Sequence, residues 1–237
     1  MRAMILAAGL GTRLRPLTDT RPKALVELSG RTLLETILER LRECGVNQVI
    51  VNVHHFADMV IEYLESEGNF GMQIEVSREE TLLDTGGGLK KAAWFFLDDP
   101  DRLDDPFIVH NVDVLSTIDL ERMVRFHIDN QALATLAVQD RKTSRPLLFD
   151  DQGQLYGRPG NADGKGDIVR PTSKLAELAF SGIHVISPRL LPMMTQEGVF
   201  SIIDAYIALA ASRCKITAFR ADEYSWRDVG RRESLQQ

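Results

Sequence analysis

Residues 6–16 of the chain read Leu-Ala-Ala-Gly-Leu-Gly-Thr-Arg-Leu-Arg-Pro, and Pro22-Lys23 follow a few residues later. An apolar run of strand length, residues 3–7, leads directly into this stretch. The two glycines and the small alanines predict a loop whose backbone N–H groups can approach a ligand closely. A dinucleotide-binding fingerprint is excluded because Leu14 stands at its third glycine, and a Walker loop because no Lys-Ser or Lys-Thr follows a glycine at the required spacing.

This loop is positively charged within a negatively charged protein. The first 26 residues carry five basic side chains against one acidic side chain, whereas the whole chain has 28 basic and 34 acidic residues and a formal net charge of −6. The basic side chains are Arg2, Arg13, Arg15, Arg21 and Lys23, and the acidic one is Asp19. A local cationic loop suits a small polyanion such as a triphosphate, and the alternative interpretation is a tight turn with solvated arginines.

Apolar periodicity predicts that strands and helices alternate along the chain. Strands are predicted at residues 3–7, 48–53, 73–77, 107–109, 133–138, 180–186, 215–220 and 224–229, and helices at residues 33–41, 56–64, 89–97, 119–129 and 202–212. The alternation predicts an α/β fold, a three-layer α/β/α sandwich with a Rossmann-like, mainly parallel mixed sheet. Ligands of such sheets bind at the carboxyl ends of the strands, so we expect the site in the loops after residues 7, 77 and 109.

The alternating pattern breaks between residues 140 and 174, where we predict an irregular insertion laid over one edge of the sheet. Within it, residues 150–153 (Asp-Asp-Gln-Gly) predict a hairpin turn and residues 158–166 predict a loop. A length of 237 residues fits one large domain. We therefore expect residues 1–237 to form a single domain that carries this insertion.

The composition excludes several classes of protein. The net charge and a pI near 5.4 argue against a general nucleic-acid-binding protein. Two cysteines, Cys44 and Cys214, are too few for a disulfide scaffold or a cysteine-rich metal site, and no apolar run reaches the ~18 residues of a membrane span. We expect a cytoplasmic protein that binds neither nucleic acid nor membranes, and the sequence indicates no oligomeric state.

The stretch from Leu6 to Lys23 resembles the signature of the sugar-phosphate nucleotidyltransferases, also called nucleotide-sugar pyrophosphorylases. The alternation of elements extends this resemblance over nearly the whole chain. It implies that Arg13 and Lys23 contact the triphosphate and its transition state, so these two are the candidate catalytic residues. The nucleotide-binding residues that the resemblance implies are Ala8, Gly9, Gly11, Thr12, Arg13, Lys23, Gly86 and Asn111.

A second glycine-rich stretch, residues 84–88, reads Asp-Thr-Gly-Gly-Gly and precedes a predicted helix. Three glycines that open a helix leave N–H groups free and let a ligand lie flat against the backbone. In the family a turn of this kind lies against the base and the sugar, which makes Gly86 a candidate contact. The alternative is a flexible helix start. The preceding Glu79 and Glu80 either meet a base edge or lie in a solvated turn.

Two acidic residues occur in strings that match the family. Residues 111–114 read Asn-Val-Asp-Val after a predicted strand, and residues 226–230 read Trp-Arg-Asp-Val-Gly. The resemblance implies that Asp113 and Asp228 bind Mg²⁺, which proteins commonly hold beside phosphates with one or two carboxylates. Either residue alone would be an ordinary turn residue. Val112 stands where the family usually has Gly, and we expect it to add a branched side chain to the site.

The acceptor side of the site departs further from the family. Residues 180–183 read Phe-Ser-Gly-Ile, and the resemblance implies that Gly182 lets the sugar phosphate approach, the alternative being a glycine where two elements pack closely. The family's Glu-Lys-Pro string is absent from the insertion at residues 140–174, which the resemblance places on the acceptor side. Four basic residues are candidate replacements or parts of a solvated loop: Arg141, Lys142, Arg145 and Lys174.

The resemblance implies the Mg²⁺-dependent transfer of a nucleotidyl group from a nucleoside triphosphate to a sugar 1-phosphate, giving a nucleoside-diphosphate sugar and pyrophosphate. Short chains with Asp-Thr-Gly-Gly-Gly and Phe-Ser-Gly-Ile resemble the N-acetylmuramate-1-phosphate uridylyltransferases, so UTP and N-acetylmuramate 1-phosphate are the favoured substrates. The alternatives are mannose-1-phosphate guanylyl transfer, glucose-1-phosphate thymidylyl transfer and phosphocholine cytidylyl transfer. A non-catalytic protein that binds nucleotide sugars is disfavoured because every candidate catalytic and metal-binding residue is present.

Overall fold

The computed structural model of the protein describes residues 1–160, 167–169 and 174–231. Its strands are β1 (Arg2–Leu6), β2 (Glu27–Leu28), β3 (Arg31–Thr32), β4 (Gln48–Val53), β5 (Gln73–Arg78), β6 (Phe107–Asn111), β7 (Val114–Ser116), β8 (Ala134–Gln139), β9 (Pro146–Phe149), β10 (Leu155–Arg158), β11 (Asp167–Ile168), β12 (Ala176–Ile186), β13 (Ile216–Arg220) and β14 (Trp226–Asp228). Its α-helices are α1 (Leu33–Glu43), α2 (Ala57–Ser66), α3 (Asp84–Lys91), α4 (Leu120–Asp129) and α5 (Ile202–Ala211).

Four parallel strands form one half of the central sheet. β1 pairs with β4 on one side and with β6 on the other, and β5 pairs with β4. The connections between successive strands of this set contain α1, α2 and α3, the helical crossovers that parallel strands require. Their carboxyl ends therefore lie at one edge of the sheet, as the alternation in the sequence predicts.

Antiparallel pairs complete the sheet. β12 runs antiparallel to β6 and to β8, and β13 lies parallel to β8 on its other side. The sheet is thus mixed: one group of four parallel strands surrounds β1, and β8 and β13 form a separate parallel pair. This confirms the predicted Rossmann-like sheet.

Helices cover both faces of the sheet. α1, α2 and α4 bury their apolar sides on one face, in a core that includes Leu38 and Val60. α3 and α5 lie on the opposite face, in a core that includes Phe107 and Tyr206. α1, α2 and α4 each bury an apolar stripe against the sheet and leave a polar side to water, which is the pattern that the 3.6-residue periodicity predicts. α3 instead buries its glycines and Leu89, and α5 is apolar over most of its surface. The three-layer α/β/α architecture is confirmed.

The helix predicted at residues 89–97 has wrong bounds. α3 begins at Asp84 and ends at Lys91, and a separate 3-10 turn at Ala93–Phe95 follows it. The predicted range began at Leu89, after the glycines, and glycine is a poor helix former. The observed helix includes all three of them.

Close packing explains why glycines start this helix. A Cβ on Gly86 would lie 2.4 Å from Phe200 Cε2, and a Cβ on Gly87 would lie 2.3 Å from the Gly198 carbonyl oxygen. Both glycines are buried, so the N-terminal turn of α3 can approach the chain before α5 only if these positions lack side chains. Tertiary packing outweighs intrinsic helix propensity here.

The insertion predicted at residues 140–174 extends the sheet with regular strands, so its description as irregular is wrong for the described part. β9 and β10 form an antiparallel hairpin through the predicted turn at residues 150–153, β9 pairs with β12, and β11 pairs with β10. Of the loop predicted at residues 158–166, residues 161–166 lie outside the described residues. The single domain stays a prediction.

Among the described residues, no helix combines the length and the apolar character that a membrane span requires.

Candidate active site

The loop after β1 is folded around Gly11 and Thr18. Gly11 has a φ of +64°, and a Cβ there would lie 2.9 Å from Thr18 Cγ2, so both backbone conformation and space favour glycine. The Thr18 hydroxyl donates to the Gly11 carbonyl at 2.8 Å. At the start of the loop, the Ala7 N–H donates to Asn52 Oδ1 at 2.7 Å. The loop is therefore held at both ends by hydrogen bonds.

The candidate nucleotide-binding residues of this loop differ in exposure. Gly9, Thr12 and Arg13 are exposed, whereas Ala8 is buried. Within the described residues, the Arg13 guanidinium has neither an ion-pair partner nor a hydrogen-bond acceptor. Its charge is thus available to an anionic ligand at the carboxyl edge of the sheet.

Lys23 is the second basic residue of the signature, and it is buried. It begins a 3-10 turn at Lys23–Leu25, and its ammonium group forms an ion pair with Asp113 Oδ2. The two side chains are 10% and 18% exposed, so their charges interact in a partly water-excluded environment. The structure thus brings together a candidate catalytic residue and a candidate metal ligand.

A two-stranded antiparallel ribbon brings the second acidic residue to the same place. β14 pairs with β7, and Asp228 stands opposite Val114. The Val229 N–H donates to the Asp113 carbonyl at 2.8 Å, which joins the two strings directly. Residues far apart in the sequence therefore become neighbours through a pair of three-residue strands.

Three charged groups meet beside Gly230. A Cβ built on this glycine would lie 2.7 Å from Asp228 Oδ1 and 2.8 Å from both Asp113 Oδ2 and Lys23 Nζ. The Gly230 N–H also donates to Asp228 Oδ1 at 2.7 Å and orients that carboxylate. Any side chain at residue 230 would enter the space that these groups surround.

The two carboxylates suit Mg²⁺ in number and chemistry. Mg²⁺ prefers oxygen ligands and is usually held by one or two carboxylates together with substrate phosphates and water. In the part of the chain that the structure describes, no group of three or more His, Cys, Asp and Glu side chains could hold a metal ion. Asp113 and Asp228 therefore fit a cation that takes its remaining ligands from a bound phosphate compound.

The prediction that the glycines at residues 86–88 leave free N–H groups is wrong. The N–H groups of Gly86 and Gly87 both donate to the Phe200 carbonyl, at 2.9 and 3.3 Å. The Thr85 hydroxyl accepts from the Ile202 N–H at 3.0 Å, which ties the same turn to the start of α5. Gly86 as a nucleotide contact stays a prediction from the family resemblance, and its N–H group is already used by the Phe200 carbonyl.

Glu79 lies in a buried polar network, and its placement in a solvated turn is wrong. Its side chain is 2% exposed, and Oε1 accepts from Asn52 Nδ2 at 2.7 Å. Oε2 accepts from the Leu83 N–H at 2.9 Å. Because Asn52 also accepts from the Ala7 N–H, this network connects the ends of β1, β4 and β5. An Asn at the end of a β-branched strand was the only sign of it in the sequence.

Asn111 and Gly182 pack against each other where β6 meets β12. Gly182 has a φ of +73°, and a Cβ there would lie 2.8 Å from Asn111 Nδ2 and 2.9 Å from Val114 Cγ2. This glycine permits a close approach of two elements. Among the described residues, the buried Asn111 Oδ1 has no hydrogen-bond donor.

Val112 does not contribute to the site, contrary to the prediction. Its side chain is 3% exposed and packs in the core on the α1 face of the sheet. The branched side chain is therefore placed away from any ligand bound beside Asp113.

Trp226 and Arg141 form a stacked pair beside β12. The Arg141 guanidinium carbon lies 3.6 Å from the centroid of the Trp226 ring. Arg141 Nη2 donates to the Phe180 carbonyl and Trp226 Nε1 to the Ser181 carbonyl, each at 2.8 Å. Sequence reasoning named Arg141 only as one of four candidates for this side of the site.

The fold and the site define the class of the protein. The chain belongs to the nucleotidyl transferase family, which matches it over residues 2–147. It is an enzyme of the sugar-1-phosphate nucleotidyltransferase class, as the stretch from Leu6 to Lys23 predicted.

Individual relatives and structures support this assignment. The chain is 35% identical to the N-acetylmuramate alpha-1-phosphate uridylyltransferase of Caulobacter vibrioides, over 96% of this chain and 91% of that protein. It is 30% identical to the mannose-1-phosphate guanyltransferase of Yarrowia lipolytica, over 97% of this chain and 61% of that protein. A solved structure of UDP-glucose pyrophosphorylase from Acinetobacter baumanii has the same fold, with a TM-score of 0.78, 20% identity and coverage of 99% of this chain and 90% of that chain.

Proposed function

We propose that this protein transfers a uridylyl group from UTP to N-acetylmuramate 1-phosphate, giving UDP-N-acetylmuramate and pyrophosphate. The similarity to the C. vibrioides uridylyltransferase, which extends over nearly all of both chains, supports these substrates. The chemistry is supported by one observation above all, the meeting of Asp113, Asp228 and Lys23 beside Gly230 at the carboxyl edge of the sheet.

The acceptor supplies its own nucleophile. An oxygen of the sugar phosphate, already ionised at neutral pH, attacks the α-phosphorus of UTP. The bond from this phosphorus to the oxygen that bridges the α- and β-phosphates breaks, and pyrophosphate leaves with that oxygen. Since no proton has to be removed from the nucleophile, the site needs no general base, and catalysis consists of positioning and charge stabilisation.

Arg13 and Lys23 act on different phosphates of UTP. Arg13 is exposed and without a partner in the described part of the chain, which suits it to the β- and γ-phosphates of the leaving group. Lys23 is held by Asp113 in a partly buried position and stabilises the charge that develops at the α-phosphate. A preorganised ammonium group of this kind does not have to reorient during the reaction.

Asp113 and Asp228 hold Mg²⁺ in this proposal. When bound, Mg²⁺ offsets the repulsion between the two phosphate groups that react. The chain orients both carboxylates in advance, because Lys23 holds Asp113 and the Gly230 N–H holds Asp228. The loop residues Ala8, Gly9, Gly11 and Thr12 together with Gly86 and Asn111 contact the nucleotide, and Gly182 faces the sugar phosphate.

A second candidate is guanylyl transfer from GTP to mannose 1-phosphate. The similarity to the Y. lipolytica guanyltransferase supports it. That similarity covers 61% of the relative, whereas the similarity to the uridylyltransferase covers 91%. We therefore place uridylyl transfer first.

Pyrophosphate release over a grid of substrates tests the proposal. Purified protein with Mg²⁺ is given UTP, GTP, dTTP, CTP or ATP against N-acetylmuramate, mannose, glucose and N-acetylglucosamine 1-phosphates and phosphocholine. We expect the highest kcat/KM with UTP and N-acetylmuramate 1-phosphate. A highest value with GTP and mannose 1-phosphate would support the second candidate, and a folded protein inactive with every pair would contradict both.

A further inference from the structure

Arg141 is a half-buried cation without a counter-ion. One face of its guanidinium stacks on Trp226 at 3.6 Å, and Nη2 donates to the Phe180 carbonyl. Among the described residues, no carboxylate lies within ion-pair distance of Arg141, and neither Nη1 nor the buried Nε has an acceptor. An aromatic ring and one carbonyl are thus its only described partners.

Such a charge is costly to leave uncompensated. Burial lowers the pKa of Arg141, and the nearby carboxylate of Asp228 opposes this shift. A guanidinium taken partly out of water with free N–H groups recovers that cost when an anion binds to it. The planar fork of donors matches the oxygens of a phosphate group.

The position of Arg141 indicates which phosphate it serves. Trp226 and Asp228 are two residues apart on β14, so their side chains lie on the same face of the ribbon, and Arg141 stacks on that face. The exposed Arg13 belongs to the loop after β1, whereas Asp113 follows β6, which lies between β1 and β12 in the sheet. The Phe180 and Ser181 carbonyls that hold the stacked pair directly precede Gly182 on β12.

The other basic residues that could take this role have no comparable setting. Lys142, Arg145 and Lys174 are exposed, and no described acidic residue or aromatic ring contacts their charged groups. Such side chains remain solvated and gain little from an anion at the surface.

We propose that Arg141, stacked on Trp226, binds the phosphate of the sugar 1-phosphate and so determines the affinity of the enzyme for its acceptor. This inference rests on the proposed function, since it assumes that the second substrate is a phosphate monoester. It assigns the triphosphate to Arg13 and Lys23, and the acceptor phosphate to Arg141 beside β12 and β14.

Steady-state kinetics with UTP and N-acetylmuramate 1-phosphate test the proposal. In Arg141→Met we expect the KM for the sugar phosphate to rise about 10- to 100-fold, the loss typical of a charge-assisted hydrogen bond, while the KM for UTP stays within about twofold. Arg141→Lys keeps the charge but not the planar fork, and we expect an intermediate KM. Arg125→Met, which removes an exposed arginine of α4, is the control and should change neither constant.

Three kinetic results would overturn the inference. The first is an unchanged acceptor KM in Arg141→Met, and the second is an equal rise for both substrates, which would indicate a general structural role. The third is a selective rise in Arg145→Met with none at Arg141. If Arg141→Met fails to fold, Arg141→Lys decides between the same outcomes.

A binding measurement separates this inference from the proposed function. The chain has two tryptophans, so Trp94→Phe leaves Trp226 as the only indole. We expect inorganic phosphate to change its fluorescence saturably in Trp94→Phe and not in the double variant Trp94→Phe/Arg141→Met. Equal titrations in both would overturn the anion site. A lack of turnover by the wild type would instead contradict the proposed function. The phosphate titration would still test the anion site, because it does not depend on turnover.

Discussion

The Asp228 carboxylate is oriented by a hydrogen bond from the backbone two residues later, since the Gly230 N–H donates to Asp228 Oδ1. In Asp228→Asn the amide oxygen can still accept this hydrogen bond, so the fold is preserved while one negative charge is lost. We expect kcat to fall about 10²- to 10³-fold, the range found when one preorganised charge-stabilising contact is removed. The thermal midpoint should stay within a few degrees of wild type.

The matched control for this prediction is Asp151→Asn, which removes a carboxylate from the exposed hairpin turn between β9 and β10. Its kcat should equal that of the wild type. A full kcat in Asp228→Asn at saturating Mg²⁺ would show that this carboxylate has no part in the chemistry.

Gly11 tests the loop after β1. Gly11→Ala introduces a Cβ at positive φ and 2.9 Å from Thr18 Cγ2, so the loop must shift. We expect the KM for UTP to rise at least about tenfold, since a small displacement of a positioning loop is costly. Gly30→Ala is the control, because its φ of +82° imposes the same backbone strain with no atom within 4 Å of the new Cβ.

Both variants should lose about 1–2 kcal/mol of unfolding free energy from the strained backbone, measured by urea denaturation. Only Gly11→Ala should lose affinity for UTP. Equal KM values for UTP in the two variants would mean that the loop does not contact the nucleotide.

Among the secondary-structure elements, the start of α3 shows opposite effects of helix propensity and of close packing on stability. Alanine stabilises a helix by about 1 kcal/mol relative to glycine. In Gly87→Ala, however, the new Cβ would lie 2.3 Å from the Gly198 carbonyl oxygen. We expect the unfolding free energy to fall by about 1–3 kcal/mol, as in other overpacked cores. A gain in stability would show that the backbone before α5 moves aside at little cost in free energy and accommodates the new Cβ.

The sequence predicts the elements whose signal is local. β4 was predicted with its observed bounds because it is a β-branched run. The start of α1 was predicted at the observed residue because its apolar residues repeat with helical period, although the helix extends two residues beyond the predicted end. The start of α3 and the strands of the insertion were missed because they depend on contacts with distant parts of the chain. α3 depends on the chain near Phe200, and β9 depends on pairing with β12.

In the site, too, local sequence patterns predict some features, and contacts between distant segments determine the others. The strings around Lys23, Asp113 and Asp228 were recognised in the sequence, but their meeting depends on the pairing of β7 with β14. β14 lies within a predicted strand, whereas β7 is too short to have a periodic signal, so the pairing could not be predicted. The burial of Glu79 and the stacking of Arg141 on Trp226 depend on contacts between distant segments. No local pattern reports such contacts.

At the scale of the whole molecule, buried histidines predict sensitivity to acid. Burial lowers the pKa of His110 and of His184 to about 3, and that of His127 to about 4. All three are therefore neutral in the folded protein near pH 6, whereas in the unfolded chain they titrate near pH 6.5. The unfolded state binds more protons below that pH, so stability falls as the pH drops from 6.5 toward 4.

Each such histidine contributes a slope of about 1.4 kcal/mol per pH unit over this range. His127→Gln can keep hydrogen bonds to Thr135 and Ser187, which lie 2.9 and 3.0 Å from the ring nitrogens, and it removes one titrating group. We expect the slope of the unfolding free energy between pH 6 and 5 to fall by about that amount. His55→Gln, at an exposed site, should leave the slope unchanged, and equal slopes in both variants would contradict the account.

In the proposed reaction the groups beside Gly230 promote transfer of the α-phosphate of UTP to a sugar phosphate, and the fate of labelled phosphorus shows whether this transfer occurs. The protein is incubated with Mg²⁺, N-acetylmuramate 1-phosphate and UTP labelled with ³²P at the α-position. We predict that the label appears in UDP-N-acetylmuramate and that an equal amount of unlabelled pyrophosphate is released, both depending on the sugar phosphate. Label that ends in free UMP, or pyrophosphate released at the same rate without the sugar phosphate, would contradict the proposed reaction.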